Sequence, residues 1–377
     1  MALVDDIKDF ALDLGYCAVG IGSGEPFGQF AQALEERRED YAKFPYLWAM
    51  ADPRNAMPEA KSLVVVAYDY HAAGFPAELV GKIGRAYQAR CYLAPVERLH
   101  GARTQLLRQF LERAGCRVGP WVGPRSGVPE RQAAARAGVA QFGRNNFACA
   151  PGVGSFIVVH TFSVDVELPP DEPTEGLHCP PKCQLCRQAC PTGAITADQR
   201  LNPRLCVAFN TFTTRGEETG VPIYVPREIR PQMGSWVHGC DVCQEVCPKN
   251  QRKLQANLPV DPFLARKARE FDLFSLLGMT DEYYRRVVQP MMYNYLRDQS
   301  LFRRNAAIAL GNSGDREAVP ALAQALGDPA EVVRAHAAWA LGRLGGRQAR
   351  EALAAARGRE TGPAAAEEIE AALAVVG

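Results

Sequence analysis

Two cysteine-rich segments in the middle of the chain have a spacing suited to iron–sulfur clusters. The first arm reads Cys179-Pro-Pro-Lys-Cys183-Gln-Leu-Cys186-Arg-Gln-Ala-Cys190-Pro191, and the second reads Cys240-Asp-Val-Cys243-Gln-Glu-Val-Cys247-Pro248. Both arms end in C-x₂-C-x₃-C-P, the pattern with which bacterial ferredoxins bind [4Fe–4S] clusters. A chain with two such arms is predicted to transfer single electrons.

The ferredoxin pattern also predicts which cysteines share a cluster, because the last cysteine of each arm binds the cluster of the other arm. Cluster one is then expected to take Cys179, Cys183, Cys186 and Cys247. Cluster two takes Cys190, Cys240 and Cys243, with Cys206 between the arms as its expected fourth ligand. A zinc ribbon is the alternative, but two C-P endings favour two cubane clusters.

One spacing departs from the ferredoxin pattern. Cys179 and Cys183 are separated by three residues, where the usual first spacing is C-x₂-C. We expect the turn at Pro180 and Pro181 to accommodate the additional residue.

Length and composition restrict the class of protein. The 377 residues suggest two or three domains, and the net charge of +1 shows no general preference for polyanions. Neither a membrane span nor a signal peptide is evident, so we expect a cytoplasmic protein that does not bind membranes. Twelve cysteines in such a chain indicate metal binding. The four outside the arms, Cys17, Cys91, Cys116 and Cys149, are expected to be small buried apolar residues.

Positive charge is concentrated in two regions. Residues 101–147 contain eight arginines against two glutamates, and residues 252–304 contain ten basic against six acidic side chains. These regions could face phosphate groups or could be ordinary solvated helix surfaces, and the sequence leaves both readings open.

The N-terminal part is expected to mix helices and strands. Apolar spacing predicts helices over Val4–Gly15 and Leu99–Gly115. The runs Leu63–Tyr68 and Ser155–Val164 are predicted strands. The cysteine segments, rich in Pro and Gly, are expected to form loops around the clusters.

The C-terminal part contains an internal repeat. Ala306-Ala-Ile-Ala-Leu-Gly311 recurs 31 residues later as Ala337-Ala-Trp-Ala-Leu-Gly342, and Arg303 corresponds to Arg334. A helical repeat of this period is typical of α-solenoids, which present concave surfaces to macromolecules. Residues 367–375 are expected to form a closing helix.

The order of these parts resembles the epoxyqueuosine reductases over nearly the whole chain. The stretches that carry the resemblance are Cys190–Ile195, Ile229–Gly234, His238–Pro248 and Arg304–Asn312, with Ala51–Arg54 and Gly143–Asn145 as weaker landmarks. The resemblance implies an α+β multidomain protein. A nitroreductase-like α/β domain over 1–170 would bind the corrinoid, a bacterial-ferredoxin-like module over 171–255 would hold two [4Fe–4S] clusters, and α-helical HEAT-like repeats would occupy 256–377.

The resemblance further implies the cofactors and partners. Cobalamin would carry the reductive chemistry, and its contacts would be Arg54, Cys91, Tyr92, Gly143, Arg144 and Asn145. An external low-potential donor such as flavodoxin or ferredoxin would reduce the clusters. The substrate would be the anticodon arm of a tRNA that carries epoxyqueuosine.

Two differences from the family pattern concern proton delivery. The family has an aspartate in an Asp-Ser-Ala-Pro-like stretch before a Glu-Arg pair, but here Gly123-Pro-Arg-Ser-Gly-Val-Pro129 precedes Glu130 and Arg131. A Gly-Arg-Asp-Tyr-His stretch of the family reads Ala89-Arg-Cys-Tyr-Leu93. Opening an epoxide requires a proton donor, and Tyr92, His71 and Glu130 are the candidate replacements.

Three functions therefore follow from the sequence. The first is a cobalamin- and iron–sulfur-dependent reductase that acts on epoxyqueuosine in tRNA. The second uses the same cofactors on a different small molecule or modified nucleoside, and the missing aspartate favours it. The third is an electron-transfer protein without a substrate of its own.

Overall fold

The computed structural model describes residues 2–42, 44–87, 99–120, 127–212, 223–292 and 298–376. The strands are β1 (Ala18–Ser23), β2 (Ser62–Asp69), β3 (Gln141–Phe142), β4 (Ala148–Cys149), β5 (Ile157–Val164), β6 (Ile195–Ala197) and β7 (Arg200–Leu201). The helices of the N-terminal part are α1 (Ala2–Asp13), α2 (Gly28–Glu35), α3 (Arg38–Tyr41), α4 (Tyr46–Ala49), α5 (Leu99–Arg113) and α6 (Glu130–Arg136).

The remaining helices belong to the cluster-binding part and to the C-terminal part. The former contains α7 (Leu185–Ala189), α8 (Val207–Thr211), α9 (Val242–Glu245) and α10 (Gln251–Leu254). The latter contains α11 (Pro262–Glu270), α12 (Leu273–Leu277), α13 (Asp281–Tyr283), α14 (Gln289–Met291), α15 (Gln299–Ser313), α16 (Val319–Ala325), α17 (Glu331–Leu344), α18 (Arg347–Arg357) and α19 (Pro363–Val375). A π-helical turn, Tyr284–Val288, joins α13 to α14.

An antiparallel sheet forms the centre of the N-terminal part. Its order is β1-β2-β5, and Val65 of β2 lies opposite Gly20 and Thr161. Because successive side chains of a strand point to opposite faces, Val64 packs towards α1 and α5 whereas Val65 packs towards α6. Both faces of β2 are thus covered, which explains its uninterrupted apolar sequence.

The predicted elements of this part are present with small differences at their ends. The helix expected over Val4–Gly15 is Ala2–Asp13, and the strand expected over Leu63–Tyr68 is Ser62–Asp69. The α+β class is confirmed, since the sheet and its helices are followed by an almost entirely helical C-terminal part.

The C-terminal helices form stacked pairs with one continuous apolar core. The repeat appears in their contacts. A Cβ atom on Gly311 would lie 2.7 Å from the Cβ of Ala340, and one on Gly342 would lie 2.8 Å from the Cβ of Ala372. Glycine at this repeat position therefore lets consecutive helices approach closely.

The equivalent arginines of the two repeats also make equivalent ion pairs. Arg303 binds Asp328 through its Nε at 2.7 Å, and Arg334 binds Glu360 at 2.7 Å. Each pair links a long helix to the loop that precedes the next long helix. The Arg334 guanidinium is the main reason that the pKa of Glu360 falls to about 2.

Polar contacts join the cluster-binding part to its two neighbours. The backbone N–H of Arg85 donates to Asp241 at 2.6 Å, and its guanidinium reaches Glu245 at 2.5 Å. On the other side, Arg304 donates to the carbonyl oxygens of Asn210 and Ile223 at 2.7 and 2.6 Å. Across the ranges given above, no helix is long and apolar enough to cross a membrane.

Candidate iron–sulfur site

The first group of thiols forms where the first cysteine arm meets the end of the second. Cys179, Cys183, Cys186 and Cys247 line one cavity. Burial raises the pKa of the Cys186 thiol, and the neighbouring sulfurs of Cys179 and Cys247 raise it further. The structure thus brings together the four cysteines predicted for cluster one, including the one that crosses from the other arm.

The second group gathers the remaining predicted ligands. Burial raises the pKa of Cys240 to about 12, and its interacting sulfurs include Cys206 and Cys190. The pKa of Cys243 is raised well above its ordinary value by burial and then by Cys240 and Cys206. Cys206 therefore lies near the other predicted ligands of cluster two.

The donor chemistry of both groups fits iron–sulfur clusters. A cluster needs deprotonated thiols, so its binding would release protons that burial otherwise keeps on these sulfurs. In the described part of the chain, no three His, Cys, Asp or Glu side chains converge closely enough to hold a single metal ion. Four thiols distributed around a cavity are the arrangement that a [4Fe–4S] cubane uses.

The additional residue of the first arm is taken up in a tight turn. The N–H of Cys183 donates to the carbonyl oxygen of Pro180 at 3.2 Å, and Lys182 has a φ of +61°. A positive φ at the third residue is the mark of a type II turn, which favours proline at the second position. Here Pro181 occupies that second position, so the C-x₃-C spacing is compatible with the site as expected.

A β-hairpin from the N-terminal part covers both thiol groups. We call residues 141–149 the cluster hairpin; β3 and β4 are its strands. The backbone N–H of Arg144 donates to Cys179 Sγ at 3.2 Å, and Asn145 Nδ2 donates to the carbonyl oxygen of Cys243 at 3.3 Å. One tight turn thus contacts a predicted ligand residue of each cluster. Of the two bonds, the one from Arg144 reaches a sulfur, and hydrogen bonds to cluster sulfurs influence reduction potentials.

The residues predicted to contact cobalamin lie in separate places. Gly143, Arg144 and Asn145 form the tip of the cluster hairpin, where Arg144 also pairs with Asp198. Arg54 lies on a 3₁₀ turn and pairs with Asp52 at 3.0 Å. Cys91 and Tyr92 lie outside the described residues. These corrinoid contacts stay predictions.

Two of the three candidate proton donors lie within the described residues. Glu130 begins α6 and accepts a hydrogen bond from the Thr161 hydroxyl. His71 is only 4% exposed, and its ring lies 4.9 Å from that of Phe156. Tyr92 falls outside the described residues. Because Glu130 is only partly buried and directly follows the stretch that lacks the aspartate, it is the better placed of the two.

Most arginines of the basic segment 101–147 are engaged within the protein. Arg108 donates to the carbonyl oxygens of Gly119 and Val118, both at 2.8 Å. Arg136 donates to the carbonyl oxygens of three residues between 23 and 26. The pairing of Arg144 with Asp198 adds to this. For the arginines that the structure describes here, internal contacts are thus a third reading, beside the phosphate-facing surface and the solvated helix surface that the sequence left open.

Sequence reasoning missed one residue at the site. Cys149 lines the same cavity as the four thiols of cluster one and is 3% exposed. Burial raises its pKa to about 12, with smaller contributions from Cys247 and Cys179. Cys116, by comparison, lies in the apolar core of the N-terminal part, as expected, and Cys17 donates to the carbonyl oxygen of Ala67. Nothing in the local sequence distinguished Cys149 from these two.

Comparison with known families agrees with this geometry. Residues 178–250 match the 4Fe-4S double cluster binding domain, and residues 292–374 match HEAT repeats. The zinc-ribbon alternative is thereby set aside. The protein is a two-cluster iron–sulfur protein with a C-terminal helical-repeat part.

The relatives identify the family. The epoxyqueuosine reductase of Synechococcus sp. (strain RCC307) is 32% identical over 73% of this chain and 83% of that protein. A structure of the Bacillus subtilis epoxyqueuosine reductase, with its catalytic loop swung out of the active site, has a TM-score of 0.84 at 26% identity. It covers 100% of this chain and 99% of that one. The chain belongs to the epoxyqueuosine reductase family and is an oxidoreductase.

A further structure is relevant to the substrate. It is an epoxyqueuosine reductase with a tRNA-Tyr stem loop that carries epoxyqueuosine, and it has a TM-score of 0.84 at 25% identity. It covers 100% of this chain and 99% of that one. Members of this family use cobalamin together with two [4Fe–4S] clusters.

Proposed function

We propose that this protein reduces epoxyqueuosine to queuosine in tRNA, with two [4Fe–4S] clusters and cobalamin as cofactors. The observation that carries the proposal is the agreement of the whole chain with a relative whose structure holds a tRNA stem loop containing epoxyqueuosine. The two thiol groups support the iron–sulfur part of the proposal, because each contains four cysteines, the number that a [4Fe–4S] cluster takes.

The cluster hairpin suggests how electrons reach the N-terminal part. When bound, cobalamin supplies the low-valent cobalt that performs the reduction. We propose that it binds in the N-terminal domain, over 1–170, with Arg54, Cys91, Tyr92 and the Gly143–Asn145 tip among its contacts. The hydrogen bond from Arg144 to Cys179 Sγ supports this proposal, because it joins that tip to an expected ligand of cluster one. The hairpin would then exclude water between the donor cluster and its acceptor.

The other two proposed domains would contact the electron donor and the tRNA. Residues 171–255 would accept electrons from an external low-potential donor such as flavodoxin or ferredoxin, in the cytoplasm. Residues 256–377 would contact the tRNA anticodon arm through the helical repeats, because stacked repeats present an extended surface. The described arginines of segment 101–147 are largely engaged internally, and so are Arg303 and Arg304 of the second basic region, so internal pairing favours neither region for phosphate contacts.

A second function, reduction of a different substrate, is favoured by one observation. The stretch before Glu130 contains no aspartate, although epoxide opening requires a proton at hydrogen-bond distance. If the tRNA substrate is retained, Glu130 is our proposed replacement for that donor. If none of Glu130, His71 and Tyr92 fills this role, the second function is favoured.

A single-turnover experiment separates these functions. The full-length protein is reconstituted anaerobically with iron, sulfide and cobalamin, reduced, and mixed with tRNA that carries epoxyqueuosine. We expect nucleoside mass analysis to show the loss of one oxygen. Absence of conversion, with both cofactors confirmed by their absorption spectra, would refute the tRNA function and favour the second one.

The variant Glu130→Gln tests the proposed donor in the same assay. Loss of a general acid is expected to slow conversion by about 10²–10⁴-fold. Thr161→Val is the matched control, because it removes the hydroxyl partner of Glu130 but retains the carboxyl group. Normal conversion by Glu130→Gln would exclude this residue as the donor.

A further inference from the structure

Five thiols, rather than the four that a cubane requires, surround the site of cluster one. The fifth is Cys149, which lines the same cavity as Cys179, Cys183, Cys186 and Cys247. The hairpin that carries Cys149 also contacts one of these four, because the backbone N–H of Arg144 donates to Cys179 Sγ at 3.2 Å. The extra thiol therefore faces the same cavity as the expected ligands, on a segment that is already bonded to one of them.

The cluster hairpin holds Cys149 in this position. Cys149 pairs with Gln141 across the two strands, and the turn at Gly143 lies directly beside its side chain. A Cβ atom on Gly143 would be 3.7 Å from Cys149 Sγ and 2.8 Å from Asn145 Oδ1. A side chain at position 143 would therefore collide with Asn145 Oδ1, whereas the Cys149 thiol lies at ordinary contact distance. The backbone next to this glycine binds Cys179.

We propose that Cys149 is a reserve ligand of cluster one, which can replace Cys179 or Cys247 on the iron atom that either of them binds. The exchange is balanced without a change of oxidation state. The Fe–S bond to the departing cysteine breaks, a new Fe–S bond to Cys149 forms, and the proton of the Cys149 thiol moves to the departing thiolate. Iron remains four-coordinate by sulfur before and after the exchange.

The geometry of the first arm favours Cys179 as the ligand that is exchanged. This residue precedes the irregular C-x₃-C spacing, and the turn that follows it contains Lys182 in a left-handed conformation. Cys247 is the other candidate, because it reaches cluster one from the opposite arm. Among the described residues, the hairpin backbone donates to the sulfur of Cys179 and not to that of Cys183 or Cys186.

Single alanine substitutions of the ligands test the proposal through cluster content. The full-length variants Cys179→Ala, Cys247→Ala, Cys183→Ala and Cys186→Ala are reconstituted anaerobically with iron and sulfide. Iron, acid-labile sulfide and the electron paramagnetic resonance spectrum of the reduced protein are then measured. We expect at least one of the first two variants to keep the iron of two clusters, whereas Cys183→Ala and Cys186→Ala keep that of one.

Combination with Cys149→Ala makes the test specific. The retained cluster should be lost when Cys149→Ala is added to Cys179→Ala or Cys247→Ala. Cys116→Ala is the matched control, since Cys116 is equally buried but lies in the apolar core of the N-terminal part, and adding it should change nothing. The signal of cluster two reports that each variant is folded.

Two outcomes would overturn the proposal. Loss of cluster one from both Cys179→Ala and Cys247→Ala, with cluster two intact, would show that Cys149 cannot take over. Loss of cluster one from Cys149→Ala alone would make Cys149 a primary ligand instead of a reserve. None of these measurements depends on tRNA or on turnover, so they are independent of the proposed function.

Discussion

Arg304 and Asn305 belong to the stretch Arg304–Asn312, which carries part of the family resemblance, and both have a structural role. Both side chains are fully buried between the repeats and the cluster-binding part. Asn305 Nδ2 donates to the carbonyl oxygens of Thr211 and Val237 at 2.8 Å, and Arg304 donates to that of Asn210. Buried carbonyl groups are costly to leave without partners. The motif therefore stabilises the segments that follow Cys206 and precede Cys240.

His336 is buried in the same interface and must stay neutral there. Its Nδ1 donates to the carbonyl oxygen of Val332 at 2.7 Å, so its Nε2 accepts the N–H of Val225 at 3.2 Å. A proton on Nε2 would oppose that N–H. Burial, and then the charges of Arg230 and Arg304, lower the pKa of His336 well below its ordinary value.

This environment predicts a loss of stability in mild acid. Below the unfolded-state pKa of about 6.5, the unfolded chain binds a proton that the folded protein does not. The contribution of His336 is therefore complete above that pH and decreases as pH falls, by up to about 1.4 kcal/mol per pH unit. We expect the unfolding midpoint of the wild type to fall more between pH 7.5 and 5.5 than that of His336→Gln.

The comparison of two reconstituted proteins also controls for acid effects on the clusters. Both carry the same clusters, so only the difference between their pH profiles reports His336. Parallel profiles would contradict the prediction. The substitution itself is expected to lower stability by about 1–3 kcal/mol at neutral pH, because it disturbs a buried hydrogen bond.

At the scale of elements, close helix packing in the repeats depends on glycine. Gly342 lies within α17, where alanine would normally be the better helix former. Here its Cβ would lie 2.8 Å from the Cβ and 2.9 Å from the Cα of Ala372 in α19. Since two non-bonded Cβ atoms cannot approach so closely, α17 and α19 would have to move apart.

Gly342→Ala is therefore expected to destabilise the protein by about 1–3 kcal/mol, the usual range for overpacking. Gly358→Ala is the matched control, because Gly358 has a φ of −73° and a Cβ there would meet no atom within 4 Å. That control should be neutral or slightly stabilising. Thermal unfolding of both variants measures the difference, and equal midpoints would show that the helices adjust without cost.

The cluster hairpin is a second element whose importance lies in its position. It contains only two short strands, yet it contacts the segments of both thiol groups. Asn145 is held by the hairpin itself, since its Oδ1 accepts the N–H of Phe147 at 3.3 Å. The amide of Asn145 thus bonds to the turn through its oxygen and to Cys243 through its nitrogen.

At the scale of the whole molecule, the N-terminal part is attached to the cluster-binding part by a buried ion cluster. Arg85 interacts with both Asp241 and Glu245, and the side chains of Arg85 and Asp241 are 9% and 4% exposed. Burial raises the pKa of Asp241, so its ionised form depends on this partner. Removal of one member of a buried pair leaves an uncompensated charge.

Arg85→Met is expected to lower the free energy of unfolding by about 3–5 kcal/mol. Arg38→Met is the control, because Arg38 and Glu35 form an ion pair at 2.6 Å whose side chains are 64% and 48% exposed. Solvent screens an exposed pair of this kind, so its removal should change stability little. Chemical denaturation of the reconstituted proteins measures both values, and equal effects would mean that the buried pair is not what holds the parts together.

The sequence was most informative where chemistry requires a regular spacing. The two arms predicted the cluster sets because each cubane takes nearby thiols plus one from the other arm, and Cys206 followed by elimination. The helical period and the 31-residue repeat predicted α1 and the C-terminal helices for a similar reason. Local geometry repeats along the chain, so it leaves a pattern in the residues.

Contacts between distant segments left no such pattern. Cys149 is 30 residues before Cys179, and only the folded cluster hairpin places both at one cavity. Arg85 and Asp241, or Arg304 and Asn210, meet for the same reason. The sequence by itself thus determined the cofactor type, the ligand spacing and the repeat. Only the tertiary structure decided which side chains surround the clusters, because packing of separate elements, not spacing along the chain, brings those side chains together.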